Sequence, residues 1–280
     1  VRRVAKNPTS VAGRLVKLLE GMTSAVLWEG PSQIDGAPLV VVATRLVPDA
    51  NNANRKTGDA AQLYILRRDI GPLDALRSGH DFSICGRCMH RPAVSGRRTC
   101  YPDIRMINRV WTTYRLGSYP YITSERMLRT LFEERPVRFG AYGDPAAVEP
   151  VVLQTLDEVS PFAWGYTHQW REPEGAACLE LGLMASVESE LERAEANAMG
   201  FRTFRVRPRV DSPLLSGERL CPADGELARA RKWKKTSTCV KCRWCNRHSK
   251  MSADVSVVAH GSASVRLATV LESRLPIVSS

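Results

Sequence analysis

From residue 136 onward the chain alternates short β-branched or aromatic runs with helical segments, and this rhythm limits the fold more than any other feature. "PVRFGAYGDP" reads as a strand ending in a turn, followed by a helix through about Asp157. "FAWGYTHQW" and "LGLMASVES" read as strands, the second running into the helical "ELERAEANAMG" that Gly200 closes. "FRTFRVRP", the short "RLCPAD" and "DVSVVAHG" continue the series. Upstream, "APLVVVATRL" and "AQLYILRRD" are strand patterns flanking a polar loop at 48–59, and helical spacing covers 103–117 and 124–134. Strands spaced by helices imply βα units and a mostly parallel sheet. Roughly seven or eight candidate strands suffice for a complete or partial (β/α) barrel, which is the expected α/β fold, with an open doubly wound sheet as the alternative. The expected organisation has three parts. An N-terminal extension covers 1–36, with a short helical candidate at 11–19. A barrel-like domain covers 37–220 and includes a Cys-rich loop at 80–101. A Cys-rich metal-binding segment with a C-terminal strand and tail covers 221–280.

In either architecture functional groups follow the C-terminal ends of parallel strands. The residues there are Tyr142, Gly143 and Asp144, then Thr167 and His168, then Ser186, then Cys221. Tyr142, Asp144, His168 and Ser186 are the candidate catalytic residues. Asp144 can accept a proton or hold a ligand hydroxyl; it also suits a helix N-cap before Pro145. His168, between Tyr166 and Trp170, can act as a general base, as a ligand, or as an aromatic-packed structural histidine.

Eight cysteines in a chain of 280 residues read as metal ligands or reactive thiols if the compartment is reducing. The N-terminal stretch is basic and broken by Asn7, Pro8 and Gly13, with no continuous apolar segment, so a cytoplasmic protein without a signal peptide is expected. No apolar run approaches the ~20 residues needed to span a bilayer, so no membrane partner is expected. Cys85 and Cys88 form "CGRC", in which Gly86 eases the tight turn, with His90 and Cys100 as further ligands. Cys239, Cys242 and Cys245 form C-x-x-C-x-x-C, with Cys221 upstream in "CPAD". Three thiolates so spaced wrap one face of a cubane cluster that a distant fourth closes. Tetrahedral zinc is the competitor, and the spacing favours iron–sulfur. Cys178 has no partner nearby in sequence and reads as an ordinary core or surface thiol.

The formal charge of +11, from 40 Lys and Arg against 29 Asp and Glu, favours an anionic partner or a solvated basic surface. Basic residues cluster in "RARKWKK" and around the C-terminal cysteines. There they either offset a thiolate-ligated centre or, with Trp233 and Trp244, contact nucleic acid by phosphate binding and base stacking. A zinc-stabilised nucleic-acid-binding protein without catalysis is therefore the alternative to a metalloenzyme. The phosphate-loop, dinucleotide and serine-elbow patterns are missing from the sequence.

Taken in order, "NRKTGD", "ICGRCMHR", "VRFGAYGDPAAV", "GYTHQWR", "LMASVES", "FRTFRV" and "CVKCRWC" resemble an uncharacterised protein family of bacteriophages and other mobile elements, over roughly residues 50–250. The resemblance implies a phage-type protein of the host cytoplasm and carries no activity. A weaker similarity is to radical S-adenosylmethionine enzymes, with their partial (β/α) barrel, three-Cys loop and Cys-rich C-terminal extension. It implies an open [4Fe–4S] cluster on Cys85, Cys88 and Cys100 that binds S-adenosylmethionine, and a closed auxiliary cluster on Cys221, Cys239, Cys242 and Cys245. The spacing C-x-x-C with a distant third Cys departs from that family's C-x-x-x-C-x-x-C.

Overall fold

Ten strands fall into two five-stranded sheets in the computed structural model, which describes residues 21–49, 51, 53–232, 237–261 and 263–273. The helical candidate at 11–19 lies outside these residues. In the first sheet β1 (Ser24–Pro31), β2 (Pro38–Thr44), β3 (Ala61–Arg67), β4 (Val137–Tyr142) and β5 (Ala163–Trp164) lie side by side in chain order. β1, β2 and β3 pair antiparallel; β4 and β5 then add in parallel. The second sheet is parallel throughout, in the order β6 (Tyr166–Thr167), β7 (Met184–Val187), β8 (Thr203–Arg207), β10 (Asp254–Val258) and β9 (Glu218–Leu220). The α/β class expected from the strand–helix rhythm is the one observed, with parallel pairing dominant.

The sequence explains where each strand sits. Leu39 through Ala43 have no solvent exposure, the signature of a central strand covered on both faces. β1 carries no such run and lies at the sheet edge. That edge is not left open: Val26 N donates to Pro120 O and Ile122 N donates to Val26 O, both at 2.9 Å, so the segment around Tyr121 covers it.

"FAWGYTHQW" forms two short strands instead of one. β5 and β6 belong to different sheets and are separated by Gly165 alone. A Cβ at Gly165 would stand 3.0 Å from the Phe139 Cβ and 3.2 Å from its carbonyl oxygen, so glycine lets the chain pass close to β4.

The helices start at residues that sequence chemistry favours. Asp103, Ser124 and Ser189 each accept from a backbone N–H in the first turn of Ile104–Arg115, Glu125–Phe132 and Glu190–Ala198. Pro150 opens Pro150–Val159. One apolar core joins β1–β4, β7 and their helices; a second gathers β8, β10, Met89, Met184 and Cys221. Arg205 forks onto Glu218 at 2.6 and 2.7 Å, a buried pair that ties β8 to β9 across the intervening β10. No helix among the described residues is long and apolar enough to cross a membrane.

Candidate metal and active site

A cavity of about 150 Å³ collects side chains that are far apart in sequence. Cys85, Cys88, Cys100, His90, Tyr142, Asp144, His168 and Ser186 line it, as do Lys56, Arg138, Trp164, Tyr166, Phe204, Cys239 and His260. A second, smaller cavity shares Lys56, Trp164, Tyr166, Phe204 and Cys239, and is closed by Cys221, Cys242 and Cys245. The two expected cysteine sets therefore line two adjoining cavities that share Trp164, Tyr166, Phe204 and Cys239. All eight cysteines are free thiols, and Cys178 is a buried core residue away from both sets.

The "CGRCMHR" loop is held from within by Arg91. Its guanidinium donates to both Asp81 carboxylate oxygens at 2.9 and 2.8 Å, to Gly86 O at 2.8 Å and to Gly79 O at 2.9 Å. Both partners are buried, so this pair is bidentate and dry, with four of the guanidinium's five N–H donors engaged. Cys88 N donates to Cys85 O at 3.0 Å, which turns the two thiols toward one side. Gln169, just after β6, holds the turn from outside: its Nε2 donates to Cys85 O at 2.8 Å and its Oε1 accepts from Arg87 N at 3.0 Å. Gly86 has φ +51°, and a Cβ there would collide with the Gln169 amide. Cys100 returns to the set because Thr99 N donates to His90 O at 3.2 Å, while Thr99 Oγ1 and His90 Nδ1 share a hydrogen bond of 2.9 Å. Burial, followed by the adjacent Cys88 and Cys100 sulfurs, pushes the Cys85 thiol well up; burial pushes Cys100 to about 11.

The four strand-exit candidates differ in what they do. Asp144 is a clamp. Its Oδ1 accepts from Ala146 N at 3.0 Å as an N-cap, its Oδ2 accepts from His168 N at 2.7 Å, and its own N–H donates to Ile84 O at 2.7 Å. With both oxygens engaged by backbone, it ties the β4 exit to the β6 exit and to the thiol loop. Tyr142 is buried beside the thiols, and its hydroxyl has no hydrogen-bond partner among the described residues. Burial, then Cys85, holds that phenol well above its ordinary range. Ser186 lies on β7, where its carbonyl accepts from Trp170 Nε1 at 3.1 Å.

His168 faces Glu188, a residue that the sequence reading missed. His168 Nε2 and His90 Nε2 each stand 3.3 Å from Glu188 Oε1. Among the described residues these three form the one set of His, Cys, Asp or Glu ligand atoms that all lie within 4.8 Å of one another. No three thiols meet that limit. His90, expected beside the thiols as their ligand, thus turns its Nε2 to Glu188. Burial alone would lower the His168 imidazole, but Cys88 and Glu188 outweigh it and hold the ring well above the usual histidine value. Burial would raise Glu188, and the two imidazoles hold it well below the carboxylate range instead. The signal for Glu188 was positional: it is the first residue after β7.

Comparison of the chain with protein-family models, with curated proteins and with solved structures gives no match.

The C-terminal thiols are placed by backbone pairing. Cys221 N donates to Ser256 O at 2.9 Å, extending the β9–β10 ladder; Cys239 N and Val240 N donate to Lys56 O and Thr57 O at 2.9 and 3.1 Å. Asn246 Nδ2 reaches Ala163 O at 2.8 Å, so the loop is pinned to β5. The cations nearest Cys239 are not those of its own loop. Lys241 is exposed, and Arg243 stacks over Phe162 at 4.5 Å. Lys56 and Arg138 line the cavity beside Cys239 instead, and Arg138 Nη2 donates to Tyr101 Oη. Trp244 packs against the second core; Trp233, Lys234 and Lys235 lie outside the described residues.

His260 completes this end. Its Nδ1 donates to Val258 O at 2.9 Å, which leaves the Nε2 lone pair to accept from Lys56 Nζ at 2.8 Å. Burial, then Lys56, lowers the imidazole to about 4.

Two outcomes follow from this geometry. Arg91→Ala strands a buried carboxylate and should cost about 3–5 kcal/mol in urea unfolding, whereas a loss below ~1 kcal/mol would mean that the pair is solvated. For His260 the folded value lies below the unfolded one, so the unfolded chain takes up the proton first as pH falls. Stability should be flat above pH ~6.5 and drop by on the order of 3 kcal/mol toward pH ~4. His260→Gln should remove most of that slope in urea midpoints measured across the window.

Proposed function

We propose that this chain is a cytoplasmic metalloenzyme with a partial (β/α) barrel and two Cys-ligated iron–sulfur clusters. Cys85, Cys88 and Cys100 would hold an open cluster that faces the cavity. Cys221, Cys239, Cys242 and Cys245 would hold a closed one at the adjoining, smaller cavity. The observation that carries the reading is the convergence of seven free thiols, from separate stretches of chain, on two adjoining cavities. The barrel is supported by β5 and β6, which continue one strand from the first sheet into the second through Gly165.

The donor sets fit clusters better than zinc. Four thiolates on one zinc ion at ~2.3 Å stand about 3.8 Å apart, and no three thiols among the described residues lie within 4.8 Å of one another. A cubane gives each thiolate its own iron and so spaces the sulfurs more widely. When bound, such a cluster supplies electron transfer and, where one iron lacks a protein ligand, a position for a small molecule. The chain's own residues prepare that position. Tyr142 screens it from water, Gln169 and Arg91 fix the turn, and Asp144 orients the segment carrying His168. Lys56 and Arg138, beside Cys239, offset the negative charge of a thiolate-ligated centre. Radical cleavage of S-adenosylmethionine is the finer reading, which a set of three thiols, Cys85, Cys88 and Cys100, favours, Cys239 being counted with the other set although it also lines this cavity.

Anaerobic purification followed by iron and acid-labile sulfide assay tests this directly. The expected protein is brown, contains both elements and loses part of each in Cys85→Ser. Colourless protein with stoichiometric zinc and no sulfide would overturn the reading.

A further inference from the structure

We propose that His90, His168 and Glu188 form a site of a different kind: a mononuclear centre for a divalent first-row transition ion, set beside the thiol triad and not dependent on the iron–sulfur reading. Three observations carry it. The ligand atoms converge, with both imidazole Nε2 atoms 3.3 Å from the same carboxylate oxygen and all three atoms within 4.8 Å of one another. An ion bound at about 2.0–2.1 Å by three such donors sets them about 3.0–3.4 Å apart, which is the spacing of the two measured contacts. The atoms converge as ion-pair contacts and not as aligned hydrogen bonds: His168 Nε2 and Glu188 Oε1 are buried, and their contact has the distance but not the direction of a well-formed N–H···O. A simple imidazole–carboxylate–imidazole relay would be aligned. Finally, His90 is prepared as a ligand. Its Nδ1 is engaged by the fully buried Thr99 hydroxyl at 2.9 Å, which fixes the ring and leaves Nε2 for an ion.

Two imidazoles and one carboxylate suit Zn²⁺, Fe²⁺ or Co²⁺ and leave coordination positions open. Because His90 and His168 also line the cavity, an open position is within reach of a molecule bound there. The donors come from three places, the thiol loop, the β6 exit and the β7 exit, so the ion would also bridge the two sheets' loops.

The test uses Co²⁺. Full-length protein, purified anaerobically, is equilibrated with Co²⁺ and desalted, and cobalt, iron and sulfide are counted by elemental analysis. Glu188→Gln, which keeps the shape of the side chain, and His90→Gln should each carry about one fewer cobalt per chain than the wild type. Sulfide should be unchanged, and cobalt-edge X-ray absorption of the wild type should show nitrogen and oxygen ligands. Far-UV circular dichroism and the thermal midpoint confirm that at least one variant is folded. Cobalt content equal to the wild type in the folded variant, or cobalt surrounded by sulfur alone, would overturn the site. Sulfide content reports separately on the iron–sulfur reading.

Discussion

One buried ion pair, Arg91 with Asp81, holds the loop from which the cavity takes most of its chemistry. A guanidinium out of water is stable only if its donors are used. Here two go to Asp81, one to Gly86 O and one to Gly79 O, so the cation is spent on the backbone flanking Cys85. That fixes the Cys85–Cys88 turn, and with it the direction of His90 and the return of Cys100. Lysine, a point charge without the planar fork, cannot reproduce the four bonds.

Around that loop the protein brings together two kinds of donor. The thiols are soft, half-buried for the most part and spread, while the two imidazoles and Glu188 are compact and harder. Trp164, Tyr166 and Phe204 line both cavities, as does Cys239. Of the charged residues that line the cavity, Lys56 and Arg138 lie beside Cys239, whereas Asp144 stands at the β4 exit; Glu188 meets His90 and His168 without lining the cavity itself.

Much of the fold could be read from the sequence because its strands are short apolar runs bounded by turn chemistry: β2, β3, β4, β7, β8 and β10 all lie within the expected segments. β1 could not, because an edge strand covered by the segment around Tyr121 needs no continuous apolar run. The C-x-x-C pairs were legible as candidate ligands, and the structure brings these thiols, with the distant Cys100 and Cys221, to the lining of two adjoining cavities. Glu188, Gln169 and the Lys56–His260 pair were not legible, because their partners are brought close only by the sheet: Lys56 and His260 are 204 positions apart. Asp144 shows the same limit. Sequence allowed a proton acceptor, a partner for a ligand hydroxyl or an N-cap, and its bonds to Ala146 N and His168 N show the cap and add a clamp that spacing alone did not suggest.

Anomalous diffraction at the iron edge, from crystals grown without oxygen, is the most direct measurement of what the thiols hold. The expected result is two iron peaks, one bounded by Cys85, Cys88 and Cys100 and one by Cys221, Cys239, Cys242 and Cys245. A zinc-edge signal at the four-thiol set, with no metal at the three-thiol set, would contradict it.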